Sequence, residues 1–256
     1  MSFDPQNLLE KSLIQGASDP AHRPQFYKDL VASNLFFIQE GDLLESTSGV
    51  VEKDTKIQIQ NIELEGRLYI PVFSSLVRLE EVVQREVNYM AMNALDFMKI
   101  TRGSDLILNP GSDYGKELVK GEIAGLIDGT IWQPSVRYQV KQDTQISIGQ
   151  PEIYPTELAD ALARYFKTQK EVKKAYLAHF YNPAQNDPPH TLIGVITTGD
   201  WDAVISGAGI ISNNVHIPNP PVDFIPLNGS GGVESYFLKE CKPFYQRKRF
   251  GISKWI

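Results

Sequence analysis

IPVFSSLVRLEEVVQREVNYMAMNALDFMKITRGSDLILNPGSDYGKELVKGEIAGLIDG, residues 70–129, decides the fold. Its opening belongs to a strand predicted over 67–73. Ser74 and Ser75 follow and offer hydroxyl caps to a helix. Leu76, Leu79 and Val83 then recur at helical spacing, with Arg78, Glu80 and Glu81 outside. A strand is predicted over 87–92, a helix over 94–100 capped by Asn93, and a strand over 105–108 that ends in an Asn109-Pro110-Gly111 turn. A short strand at 117–119 and a helix at 122–127, closed by Gly129, complete the stretch. Short strands and helices in mixed order predict an α+β fold.

Upstream, helices are predicted over 5–14, through Leu8, Leu9 and Leu13, and over 24–32, through Phe26, Tyr27, Leu30 and Val31. Ser18-Asp19-Pro20 separates them. Strands follow at 34–39 and 55–60, with a polar loop at 41–51 between them and a hairpin turn at 63–66. Downstream, residues 133–143 carry no apolar pattern and read as a linker. The second half then gives a strand at 145–148 and a helix at 156–166 with Leu158, Ala161, Leu162, Tyr165 and Phe166 on one face. Strands at 172–181 and 191–197 form a hairpin across the loop at 182–189. A helix capped by Asp200, a strand at 222–226, a glycine-rich turn at 228–232 and a final helix from Val233 carrying Cys241 on its apolar side end the series. That is a ferredoxin-like βαββαβ order plus a terminal helix. The expectation is two domains, residues 1–140 and 141–256, each a small mixed or antiparallel sheet with helices packed on one face.

The 256 residues can bury a substantial core, and 42% hydrophobic with 22% charged residues is the balance of a folded globular chain. Apolar runs such as 35–38 are far shorter than a membrane span, so no membrane association is expected. The opening MSFDPQNLLEK lacks a signal peptide's basic start and apolar run, and the expected location is cytoplasmic. The lone Cys241 excludes an internal disulfide framework. The net charge is −6, with 20 acidic against 13 basic side chains in residues 1–140. This balance argues against nucleic-acid binding, which needs clustered Lys and Arg.

Taken together, these segments resemble the SseB family, named for enhanced serine sensitivity. PAHRPQFYKDL (20–30) resembles its opening helix, IPVFSSLVRLEE (70–81) its P-x-F-T/S-S strand-to-helix junction, and LNPGSDYGKEL (108–118) its Asn-to-Gly-Lys-Glu turn. VKKAYLAHF (172–180), TLIGV (191–195) and KPFYQRK (242–248) resemble its C-terminal domain. The resemblance implies a bacterial cytoplasmic protein with two SseB domains, no established catalytic residues and some link to serine or amino-acid metabolism. A secreted translocon component shares the family's name; no long apolar helix or heptad repeat here points to it.

No catalytic, metal or cofactor site is expected. The four histidines form no HExxH motif and no metal-ligand spacing with Cys. Asn109, Gly111, Tyr114, Gly115 and Lys116 make the nearest approach to an anion cradle, without the P-loop pattern. The NGSGG turn at 228–232 is a second, weaker cradle. Phe244, Tyr245, Arg247, Lys248 and Arg249 lie in a basic, aromatic tail, a composition found at protein interfaces and also in tails that pack on their own body. The leading expectation is a non-catalytic binding or regulatory protein with a protein partner, and a homo-oligomer is open. The alternative is a sensor of an amino acid or anion, or an enzyme of amino-acid metabolism.

Overall fold

The computed structural model describes residues 3–40, 57–133, 146–183, 188–229 and 232–248. The loop expected at 41–51, nearly all of the linker expected at 133–143, and the boundary at 140/141 lie outside them. Two compact units are present, Met1–Ile131 and Trp132–Ile256.

In the first unit the opening helix is α1, Leu8–Ser18, rather than 5–14. Asn7 sets its start, since its side-chain oxygen accepts the Glu10 N–H at 2.9 Å. A short 3-10 turn at Pro20–His22 leads into α2, Arg23–Ala32. Strand β1, Asn34–Glu40, pairs with β2, Gln58–Ile59. Strand β3, Ile62–Leu64, forms a hairpin with β4, Arg67–Val72, so residues expected to be turn are partly strand. Only Glu65 and Gly66 turn, both with positive φ, as a two-residue hairpin requires.

Helix α3, Leu76–Val83, starts from Ser75, and strand β5, Tyr89–Asn93, runs into α4, Ala94–Ile100, capped by Asn93. Strands β6, Leu106–Leu108, and β7, Lys116–Leu118, then α5, Lys120–Asp128, close the unit. The strands lie in the orders β2-β1-β5 and β3-β4-β6-β7, with β4 and β6 parallel. Phe36 and Phe73 exchange two backbone bonds of 2.8 Å and join the two sheets. Leu35 and Phe37 of β1 are fully buried, and the Phe37 ring stands 4.5 Å from that of Phe97 in α4.

The second unit follows the chain order expected of it: β8 Ser147–Gly149, α6 Thr156–Thr168, β9 Val172–Tyr181, β10 His190–Thr197, α7 Trp201–Ser212, β11 Val222–Pro226 and α8 Val233–Glu240. A last short strand, β12, Tyr245–Gln246, is added. The spatial order is not that of a split βαβ sheet. There the first strand separates the third from the fourth; here β10 and β11 are direct parallel neighbours. A three-residue β8 has too few backbone groups to part strands that pair over five positions. Instead β8 and β12 share the free edge of β9, pairing with its end and its beginning respectively. Continued register would set both Pro151 and Pro243 opposite Leu177, where neither has an N–H to offer.

Helices cover both faces of this sheet, not one. Tyr176, Ala178, Phe180, Leu192 and Ile225 pack with Val233 and Phe237 of α8. The alternate residues Ala175, Leu177, Ile193, Val195 and Phe224 are just as buried. HTLIGVIT in β10 has no polar alternation because neither of its sides meets water. Helices α6 and α7 pack on each other, with the Tyr165 hydroxyl donating to the Val204 carbonyl at 3.1 Å. A methyl group on Gly207 would run into that hydroxyl. Gly207→Ala should lower stability by roughly 1–3 kcal/mol in urea unfolding, and Tyr165→Phe in the same chain should recover part of the loss. Cys241 is not on α8 but follows its last residue, half-buried, where burial pushes its thiol pKa up.

Candidate functional site

The junction 70–81 and the turn 108–118 meet around one buried carboxylate, Glu10 of α1. Ser74 Oγ donates to Glu10 Oε1 at 2.7 Å and Ser75 Oγ donates to the same atom at 2.9 Å. Arg78 binds Glu10 Oε2 through Nε at 3.3 Å and its terminal nitrogen at 3.1 Å, and reaches Glu81 at 2.9 Å. Glu10 and Asn109 are 0% exposed and Arg78 3%. Burial alone would raise the Glu10 pKa, but the Gln6 N–H, Ser74, Arg78 and Ser75 all bond to its charged form and hold it below the usual carboxylate value.

Asn109, with φ of +50°, locks the far side. Its Oδ1 accepts the Ser74 N–H at 2.9 Å and its Nδ2 donates to Ser74 Oγ at 2.8 Å. The N-terminal segment lies over the cluster: the Arg78 guanidinium stacks 3.7 Å from the Phe3 ring and donates to the Asp4 carbonyl, and Phe3 meets Tyr114 edge-on at 5.2 Å. The result is a clasp tying α1, α3 and the β6–β7 turn together.

The five candidate residues of that turn have separate surroundings. Asn109 is buried in the clasp and Tyr114 is half-buried against Phe3. Gly115 is glycine for lack of room, since a Cβ would stand 2.8 Å from the Leu108 carbonyl oxygen and 2.9 Å from that of Asn109. Lys116 pairs with Glu122 at 3.1 Å, beside the Tyr27 hydroxyl that also binds Glu122. Burial and the Glu122 charge push the Tyr27 pKa far up. Gly111 is exposed and close to Val82. The turn therefore does not present a ring of free donors.

In the second unit the Gly229 N–H donates to Glu234 Oε2 at 2.6 Å, so a carboxylate of α8 itself occupies the glycine-rich turn. Residues 230–231 of that turn lie outside the described residues. His190, one position before the strand expected at 191–197, is the first residue of β10 and is buried. Its Nε2 lies 3.0 Å from Asp223 Oδ2 of β11, and its Nδ1 lies 2.8 Å from the Pro188 carbonyl. Glu10 and Asp223 escape a local reading because their partners stand dozens of positions away. The signal available was an acidic residue among apolar neighbours, LLEKSL and VDFIP. No group of three or more His, Cys, Asp or Glu able to hold a metal occurs among the described residues.

The tail packs on its own unit. Tyr245 pairs with Ala175 and is buried, and the Phe244 ring lies 6.4 Å from Phe166. Arg247 donates to the carbonyls of Phe166, Lys167, Gln169 and Val172 at 3.1, 3.2, 2.6 and 3.0 Å. It serves the orphan carbonyls at the C-terminal end of α6. Lys248 is exposed, and Arg249 lies outside the described residues. One open cleft of about 730 Å³ lies at the end of sheet β2-β1-β5, bordered by Glu40, Gln60, Arg85 and Glu86. No sequence motif marked it.

Two family models match the chain: SseB protein N-terminal domain over residues 9–125 and SseB protein C-terminal domain over residues 140–247. The chain belongs to the SseB family. It is 28% identical over 250 residues to Protein SseB of Escherichia coli (strain K12), covering 96% of this chain and 95% of that one. Protein SseB of Shigella flexneri gives the same figures. No solved structure matches at a significant level. Glu10, Ser74, Ser75, Arg78 and Asn109 lie inside the span of the N-terminal SseB model, and His190, Asp223 and Arg247 lie inside the C-terminal one. No helix among the described residues is long and apolar enough to cross a membrane.

Proposed function

We propose that this SseB-family chain is a non-catalytic binding protein that acts through contact with another protein. One observation supports the reading above others: the buried and half-buried charged side chains of the candidate stretches are each held by residues of their own unit. Glu10 and Arg78 hold the clasp, Asp223 holds His190, Glu234 fills its own glycine turn, and Arg247 caps α6. Acid–base catalysis needs such groups aimed at a substrate within hydrogen-bond reach. The partner surface is sought among exposed residues of the two stretches first singled out, Lys242, Gln246 and Lys248 of the tail and Gly111 and Asp113 of the turn.

The test is affinity capture from the lysate of the chain's own host, with wild type beside a Lys242→Glu/Lys248→Glu double variant. Both side chains are exposed, so the double variant should keep its melting temperature. The reading expects a stoichiometric partner that the variant recovers several-fold less. A partner recovered equally by both would clear the tail of this role. Capture of nothing in two growth phases would remove the support for protein contact.

A further inference from the structure

We propose that a second copy of this chain docks on strand β5, the two β5 strands pairing antiparallel about a twofold axis beside Met90. The ladder with β1 fixes which backbone groups of β5 are free. Phe36 turns both its backbone groups to Phe73, and Ile38 gives its carbonyl to the Gln60 N–H, so these even residues of β1 face away from β5. The odd ones face it: the Gln39 N–H donates to the Asn88 carbonyl at 2.9 Å, and Ser33, just before β1, accepts the Ala94 N–H at 2.9 Å. With Phe37 opposite Met90 and Phe36 opposite Ala91, β5 uses Asn88, Met90 and Met92 on β1. It aims the N–H and C=O groups of Tyr89 and Ala91 at its open side. Among the described residues nothing bonds those groups. Strand β5 ends its sheet, and Tyr89 and Ala91 are both exposed.

Monomers guard such edges with short strands, proline or charge. The other end strands obey that rule: β2 has two residues, β3 and β7 have three each, and β11 carries Asp223 and ends on Pro226. Strand β5 has five, and the run VNYMAMN at 87–93 holds neither proline nor charge. A second copy fits this edge on two counts. Antiparallel pairing about Met90 sets Tyr89 opposite Ala91 of the other copy, each N–H meeting a C=O, so the edge is its own complement. On one face the large Tyr89 then lies against the small Ala91, and on the other Met90 meets Met90. The second count is charge. The chain carries −6, and like charges set opposite each other across a ladder are unfavourable. A neutral strand lets two acidic copies meet. Its flanks carry one charge of each sign, Arg85 with Glu86 before it and Asp96 with Lys99 after it, so the joint gathers no net charge.

The experiment is sedimentation equilibrium of the full chain between roughly 1 and 100 μM. Wild type should form a dimer whose melting temperature rises with concentration, as mass action requires of a fold stabilised by association. Ala91→Lys places on the exposed edge the residue that natural edges use as a guard, and Ala91→Pro removes an N–H that β1 does not use. Each should weaken dimerisation about tenfold or more while keeping the wild-type circular dichroism of the monomer. Met90→Cys in a Cys241→Ser chain should link two copies in the presence of oxidised glutathione, because residues facing each other at such an axis have Cα atoms about 4.5 Å apart, within reach of a disulfide. A wild type that stays monomeric at about 100 μM, folded Ala91→Lys that dimerises as tightly as wild type, or a Met90→Cys chain that gives no linked dimer would overturn the proposal. So would a monomeric wild type whose captured partner is lost in Ala91→Lys, since the edge would then serve a different protein.

Discussion

Arg78→Ala should lower the stability of the first unit by about 3–5 kcal/mol, the range for breaking one side of a buried ion pair. The loss comes mainly from what remains. Glu10, 0% exposed in the wild-type chain, would keep two serine hydroxyls and the Gln6 N–H but lose its counter-charge. Phe3 would lose the guanidinium it stacks on and the Asp4 carbonyl its donor, so the N-terminal segment should loosen as well. Urea unfolding followed by tryptophan-independent circular dichroism measures the effect. Glu10→Gln, which keeps the shape, should cost less than Arg78→Ala because Arg78 retains Glu81.

The clasp also has a pH signature. Glu10 is held below its ordinary pKa in the folded state, so its charged form is favoured by folding. That contribution is fully present above the ordinary glutamate value of about 4.3 and is lost as pH falls through the lower folded value. Wild type should therefore lose stability in acid more steeply than Glu10→Gln. Parallel acid limbs in the two proteins would mean that Glu10 is not held charged by its partners.

Arg247→Ala is the second large expected loss, about 2–4 kcal/mol in the second unit, since several charge-assisted bonds to carbonyls vanish together. Four carbonyls around the end of α6 and the start of β9 share this one donor group. Arg247→Lys should recover only part, because a single ammonium cannot span them all. This variant also separates two roles for the tail. If Arg247→Ala melts like wild type yet loses a captured partner, Arg247 belongs to an interface and the capping account is wrong. The expected outcome is the reverse, a lower melting point with any loss of capture following from it.

Most elements were legible in the chain because their causes are local. Asn93 before ALDFMKI and Asp200 before α7 each mark a helix start by accepting the backbone N–H groups two and three positions on, and Gly129, with φ of +79°, marks the end of α5. Helix α6 follows from periodicity, and strand β9 from a run of apolar and aromatic residues. Errors fell where two local signals competed, as at Pro5 and Asn7, or where a turn was shorter than its polar residues implied, as at 63–66. The family too was legible, because short motifs in a fixed order carry it.

What the sequence determined by itself is therefore the α+β class, the order of elements, two units and SseB membership. Only the tertiary structure decided that Ser74, Ser75 and Asn109 face Glu10 and Arg78 rather than a ligand, that Arg247 caps a helix about 80 positions away in sequence, and that β10 lies beside β11. The reason is range. Caps and periodicity act within a few residues, whereas a buried charge takes its partner from whichever segment packing brings within about 3 Å, and no local pattern encodes that choice.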